Sequence, residues 1–270
     1  MTKASNLVLR VASAVVLLPV VVGLVLWREP LGFAALSLVA TAIALKEFAN
    51  MMLRGRSAAE RAFVVGVGTV LAVALYQWPS LGLPAVVAAT VLIMAGQVFF
   101  ADEINGAGQR AGASLAGIIY LAPTMVALPI LHRDVEHGSL WVLLAMGATF
   151  SCDTGAYFVG RAFGRRKLAP KISPGKTWEG VVGGVLGALF LCVIARMTFF
   201  PALDIRDVVV VGIGASVLGP IGDLVESLLK RSAGVKDSGQ LIPGHGGMLD
   251  RVDALLFVGA FVFLYAGHLR

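Results

Sequence analysis

The sequence predicts an all-α integral membrane protein, a polytopic helical bundle of about nine transmembrane helices. Three observations predict it. Of the 270 residues, 58% are hydrophobic and only 14% are charged, against about 25% charged in an ordinary soluble domain. Apolar runs recur along the whole chain, and a bilayer core takes roughly 20 such residues per helix. The lysines and arginines collect in the short segments between those runs and not along a soluble face. The net charge of +6 therefore points to anionic lipid or phosphate as partner, and away from nucleic acid.

Apolar stretches divided by charge or turn residues place spans near 7–27, 30–45, 62–77, 82–100, 112–131, 139–158, 181–200, 208–229 and 252–269. The second and third are short, so they are expected to tilt little, to lie partly at the interface, or to merge differently from this division. Met1-Thr2-Lys3 ahead of the run from Val11 to Trp27 imitates a signal peptide, but further hydrophobic segments follow almost at once, which favours a retained first span. Residues 1–140 read as N-terminal transmembrane helices, and residues 141–270 as C-terminal helices that carry the polar motifs. Cys152 and Cys192 lie in or beside apolar segments. Both are expected to be unpaired thiols, with neither a disulfide framework nor a thiolate metal cluster.

Orientation follows from the cations, which concentrate in cytoplasmic loops. Lys3 and Arg10 stand at the start of the first span, Lys46, Arg54, Arg56 and Arg61 separate the second from the third, and Arg161 to Lys176 separate the sixth from the seventh. Lys230, Arg231, Lys236 and Arg251 separate the last two. With nine spans these regions share one face. The loops near Trp78–Gly82, His132–Gly138 and Asp204–Asp207 carry far fewer cations. The amino terminus is expected inside and the carboxyl terminus outside, in the cell membrane, with the polar motifs facing the cytoplasm.

Three segments carry chemistry. In the first, Asp153 near the end of a span leads into a dense basic stretch with Arg161, Lys171, Ser173 and Lys176. Lys and Arg neutralise phosphate oxygens, and Gly and Pro let backbone N–H groups approach them. A purely topogenic basic loop is the plain alternative, but a carboxylate at membrane depth is expensive without a partner. In the second, Asp223, Glu226, Ser227 and Lys230 fall at i, i+3, i+4 and i+7, so they share one helical face, with Arg231 beside them. Gly219-Pro220 just before them suits a break or kink. In the third, Lys236 and Asp237 open a glycine-rich stretch through His245 that ends at Asp250, Arg251 and Asp253. Capping a helix start explains one of those two aspartates, but not both together with Asp223. Such oxygen-only donors suit Mg²⁺, and no paired-histidine spacing for zinc is present. His245 fits phosphate contact, proton transfer or a turn cap equally well. Gly180, Gly183, Gly184 and Gly187 form small-xxx-small pairs, a pattern of close helix packing. Such seams serve within one chain or between two, so a homodimer is one of two readings.

The run from Ser227 to Asp253, with its Lys230-Arg231, Lys236-Asp237-Ser238-Gly239 and Pro243-Gly-His-Gly-Gly-Met-Leu-Asp-Arg-Val-Asp253, resembles the signature of phosphatidate cytidylyltransferases, also called CDP-diacylglycerol synthases. The Ser151–Gly180 segment is similar to that family's basic motif, including Ser173-Pro174-Gly175-Lys176-Thr177 and Glu179-Gly180. The likeness covers about the last 120 residues; residues 1–140 resemble the family only as successive apolar spans. It implies a multi-pass helical fold and cytidylyl transfer from CTP to phosphatidic acid, with dependence on Mg²⁺ and room for a second metal. By the resemblance Asp223, Asp250 and Asp253 bind metal and act in catalysis with Lys230, while Lys176, Lys230, Arg231 and Lys236 bind phosphate. Asp153, Arg161, Lys171, Ser173, Glu226, Ser227, Asp237, His245 and Arg251 complete the expected substrate site. Rival readings are another membrane lipid-phosphate transferase or kinase, and an ion or phosphate transporter built on intramembrane carboxylates.

Overall fold

The computed structural model describes residues 15, 17–100, 104–239 and 246–270. The helices run α1 (Leu17–Leu26), α2 (Leu31–Met52), α3 (Ala58–Gln77), α4 (Gly82–Phe100), α5 (Ala107–Asp134), α6 (Gly138–Phe163), α7 (Trp178–Met197), α8 (Ile205–Ser232) and α9 (Leu249–Leu264). A 3₁₀ turn at Pro79–Leu81 leads into α4, and a π-helical turn at Tyr265–Leu269 extends α9. Between α6 and α7 lie two short strands, β1 (Lys167–Ala169) and β2 (Ser173–Thr177). Among the described residues, eight helices are long and apolar enough to cross a membrane, and α1 is a shorter apolar helix. The protein is thus a polytopic all-α membrane protein. The first part of the expected span 7–27 lies outside the described residues, as does His245.

Several helices outlast the apolar windows that announced them. The second span is expected over 30–45, yet α2 continues through Lys46 and Glu47 to Met52; lysine and glutamate end an apolar window without ending a helix, because both are good helix formers. For the same reason α8 runs on through Lys230 to Ser232. It also passes through Pro220 without interruption, so Gly219-Pro220 does not break it. Helix starts are capped as the sequence allows: the Ser57 hydroxyl accepts from the Glu60 N–H at 3.1 Å, and the Asp207 carboxylate from the Asp204 N–H at 2.8 Å.

The chain forms two compact units, Met1–Pro129 with Asp237–Asp250, and Ile130–Lys236 with Arg251–Arg270. The described residues 237–239 and 246–250 thus fall in the same unit as the N-terminal helices. In the first unit α2, α3 and α4 pack in sequence, and Leu45, Phe48, Leu71, Ile93, Ile118 and Leu121 are buried. Phe48 of α2 lies against Gly117 of α5, and Phe63 of α3 against Gly96 of α4.

In the second unit α6, α7 and α8 pack on one another. A glycine seam joins the first two: a Cβ on Gly183 of α7 would meet the Gly155 carbonyl of α6 at 2.5 Å. The small residues of span seven are thus spent on packing within the chain. Trp141 is fully buried, with its ring edge-to-face on Phe200 at a centroid distance of 5.1 Å. Cys152 and Cys192 are buried free thiols.

Candidate active site

The basic segment after α6, read from the sequence as a basic loop, forms an antiparallel hairpin, Lys167 opposite Thr177 and Ala169 opposite Ser173. Two side chains anchor it. The Thr177 hydroxyl accepts from the Gly180 N–H at 3.1 Å, capping α7. The Glu179 carboxylate accepts the N–H groups of Arg165 at 3.0 Å and Arg166 at 3.2 Å, which fixes the turn out of α6. These contacts set the end of β2, and with it Lys176.

Lys176 reaches from the hairpin to α8. Its Nζ lies 2.8 Å from Asp223 Oδ2 and donates to the Pro220 carbonyl at 3.1 Å. Ser227, one turn further along α8, donates to Asp223 Oδ1 at 3.2 Å. Glu226 is buried and forms an ion pair with Lys230. The shared helical face read from the sequence thus carries two i, i+4 contacts on α8, Asp223 with Ser227 and Glu226 with Lys230. Asp153 of α6 stands in the field of Asp223 and Lys176. Asp253, near the start of α9, stands in the field of Asp223, Asp153 and Lys230. The Asp253 carbonyl approaches Gly222 so closely that a Cβ there would meet it at 2.5 Å. Three helices and one strand thus bring three carboxylates and two ammonium groups into one electrostatic cluster.

The other expected residues of this unit are mostly exposed. Arg161 is exposed and donates to the Tyr157 hydroxyl at 2.8 Å. Lys171 is exposed between the strands, Ser173 is half-buried at the start of β2, and Arg251 is exposed on α9. Arg231 donates to the Val235 carbonyl at 3.3 Å just beyond α8, with Lys236 exposed after it.

In the first unit, Asp237 is exposed, and Asp250 folds its own segment together. Asp250 Oδ2 accepts from the Ser238 N–H at 3.0 Å, the Ser238 hydroxyl at 2.9 Å and the Gly247 N–H at 2.8 Å. Gly246, with φ of +84°, supplies a left-handed turn before it. A second carboxylate, Glu47 of α2, accepts from the N–H groups of Met248 and Leu249, both at 2.9 Å, and lies 3.1 Å from the Ser238 hydroxyl. Sequence reasoning missed Glu47. The signal was available, since a carboxylate at the end of an apolar span needs a partner in the way Asp153 does.

Among the described residues, no group of three or more His, Cys, Asp or Glu side chains is placed to hold a metal ion. Asp153, Asp223 and Asp253 share an electrostatic neighbourhood with Lys176 and Lys230.

A model of the cytidylyltransferase family matches residues 8–269. The chain is 34% identical over 254 residues to a phosphatidate cytidylyltransferase of Pseudomonas aeruginosa, covering 91% of this chain and 92% of that protein. It is 48% identical over 127 residues to the phosphatidate cytidylyltransferase of Haemophilus influenzae and 45% identical over 128 residues to that of Bacillus subtilis. In those two cases the match spans about half of the relative's length, 44% and 48%. A family match over nearly the whole chain, joined to a Lys176–Asp223 pair inside a carboxylate cluster, leads to one conclusion: the chain belongs to the cytidylyltransferase family.

Proposed function

We propose that the protein transfers the cytidylyl group of CTP to phosphatidic acid, giving CDP-diacylglycerol and pyrophosphate for phospholipid synthesis. The observation that carries this reading is the Lys176–Asp223 pair, set among Asp153, Asp253 and Lys230, in a chain aligned nearly end to end with a relative named for this activity.

The chemistry suits those residues. A phosphatidate oxygen attacks the α-phosphorus of CTP, the bond from that phosphorus to the bridging oxygen breaks, and pyrophosphate leaves with the bonding electrons. A phosphate monoester with a second pKa of about 6 is already ionised near neutral pH, so a strong general base is unnecessary. The main obstacle is repulsion between two anions. Lys176, held between the Pro220 carbonyl and the Asp223 carboxylate, would exchange those partners for phosphate oxygens, and Lys230 would offer a second cation. Asp223 and Asp253 would hold Mg²⁺. It commonly takes one or two carboxylates plus substrate phosphate and water, so an open site suits it. When bound it would neutralise charge on the triphosphate and the departing pyrophosphate. The acyl chains of phosphatidate would stay in the bilayer while CTP arrives from the cytoplasm, the orientation favoured by the basic loops.

Purified protein given phosphatidate, CTP and Mg²⁺ should form CDP-diacylglycerol and pyrophosphate in equal amounts, and a chelator should abolish both. Flux of phosphate or ions into sealed vesicles, without lipid conversion, would replace this reading with transport.

A further inference from the structure

We propose that Glu47 is a positioning residue for the reaction: from α2 it holds together the two described flanks of the signature segment, Ser238–Gly239 and Gly247–Asp250. This rests on the reading of that segment as part of a cytidylyltransferase site. Glu47 is 7% exposed, and its carboxylate meets both ends of the segment. Oε1 accepts the Met248 N–H, and Oε2 accepts the Leu249 N–H and faces the Ser238 hydroxyl. The first N–H groups of a helix have no partner inside it. At the start of α9 that need is met by a carboxylate from a different helix, where negative charge also suits the helix dipole.

The fit is close on both sides. A Cβ on Gly239 would meet Glu47 Cδ at 2.8 Å, and one on Gly247 would meet it at 2.7 Å. The backbone is thus pressed against the carboxylate at both positions, and a side chain at either would force them apart. Ser238 Oγ lies 3.1 Å from Glu47 Oε2 and 2.9 Å from Asp250 Oδ2. A hydroxyl carries one proton, so it donates to one carboxylate at a time. Glu47 is thereby linked through Ser238 to Asp250, a residue of the signature itself. A glutamate that merely filled space would be replaceable by glutamine. Glutamine offers a single acceptor oxygen, and its NH₂ would face an N–H or hydroxyl donor.

The test compares the full-length native chain with Glu47→Gln and Ser238→Ala, in detergent. It measures kcat and KM for CTP and phosphatidate, and backbone amide exchange. For Glu47→Gln, exchange at Met248 and Leu249 should quicken about tenfold or more, with exchange in α6 and α7 unchanged, and kcat/KM should fall about tenfold or more. Ser238→Ala should move both in the same direction by a smaller factor. Native-like exchange and turnover in Glu47→Gln overturn the proposal, as does faster exchange with unchanged turnover. If Glu47→Gln fails to fold, Ser238→Ala decides, and full activity there overturns it. A native chain that converts no CTP removes the reading of the site and this inference with it. An active native chain with an unaffected Glu47→Gln removes only the inference.

Discussion

Lys176 and Asp223 are 2.8 Å apart on different elements, and much of the proposed chemistry passes through that pair. Asp223→Asn keeps the shape but removes the charge that orients Lys176 and would bind metal. Its kcat should fall by about 100-fold or more, the scale of losing one preorganised electrostatic group, in an assay that follows both products. A fall of less than about threefold would place Asp223 outside the reaction. The residues legible in the sequence were the charges that a membrane segment does not otherwise tolerate, Asp153, Asp223, Glu226 and Asp253. Glu47 obeys the same rule and was passed over because no motif surrounds it. Partner identity was also hidden: i, i+4 spacing gives Asp223 with Ser227, whereas the reach of Lys176 to Asp223 depends on where the hairpin ends.

At the level of elements, the seam between α6 and α7 sets where Asp153 stands relative to Lys176. Gly183→Val puts side-chain atoms where a Cβ alone would come within 2.5 Å of the Gly155 carbonyl and of Val159 Cβ. Overpacking of this kind costs about 1–3 kcal/mol, so the melting temperature should drop and turnover with it. Gly66→Ala in α3, where a Cβ would meet nothing within 4 Å, should melt as the native chain does or slightly higher. A different outcome is expected at the far end of α8. Asp207 accepts the Tyr265 hydroxyl at 2.7 Å and lies 3.1 Å from Arg270, about 24 Å along the helix from Asp223 at 1.5 Å per residue. Asp207→Ala should lower stability by about 1–3 kcal/mol and leave the kcat of the surviving protein unchanged. Helix number and packing seams were readable from apolar runs and glycine spacing. The hairpin was not, since Pro170, Pro174 and Gly175 are residues that argue against strands, and its pairing depends on the anchors at Thr177 and Glu179.

For the whole molecule, composition alone was enough to place the chain in a bilayer, because 58% hydrophobic residues leave too little polar surface for water. It did not show that residues 237–250 group with the N-terminal helices, since that depends on a contact between positions about 200 apart, Glu47 and Leu249. Orientation can be checked directly: with Cys152 and Cys192 buried, Lys171→Cys should react with an impermeant thiol reagent only from the cytoplasmic side, and Glu136→Cys only from the opposite side. Reversed labelling would invert the assignment drawn from the basic loops. The central proposal, cytidylyl transfer, is tested most directly by following labelled phosphorus from CTP. With the label at the α position, radioactivity should move into the lipid phase; with the label at the γ position, it should stay in water as pyrophosphate. Transfer of the γ label to lipid would show a kinase and contradict cytidylyl transfer.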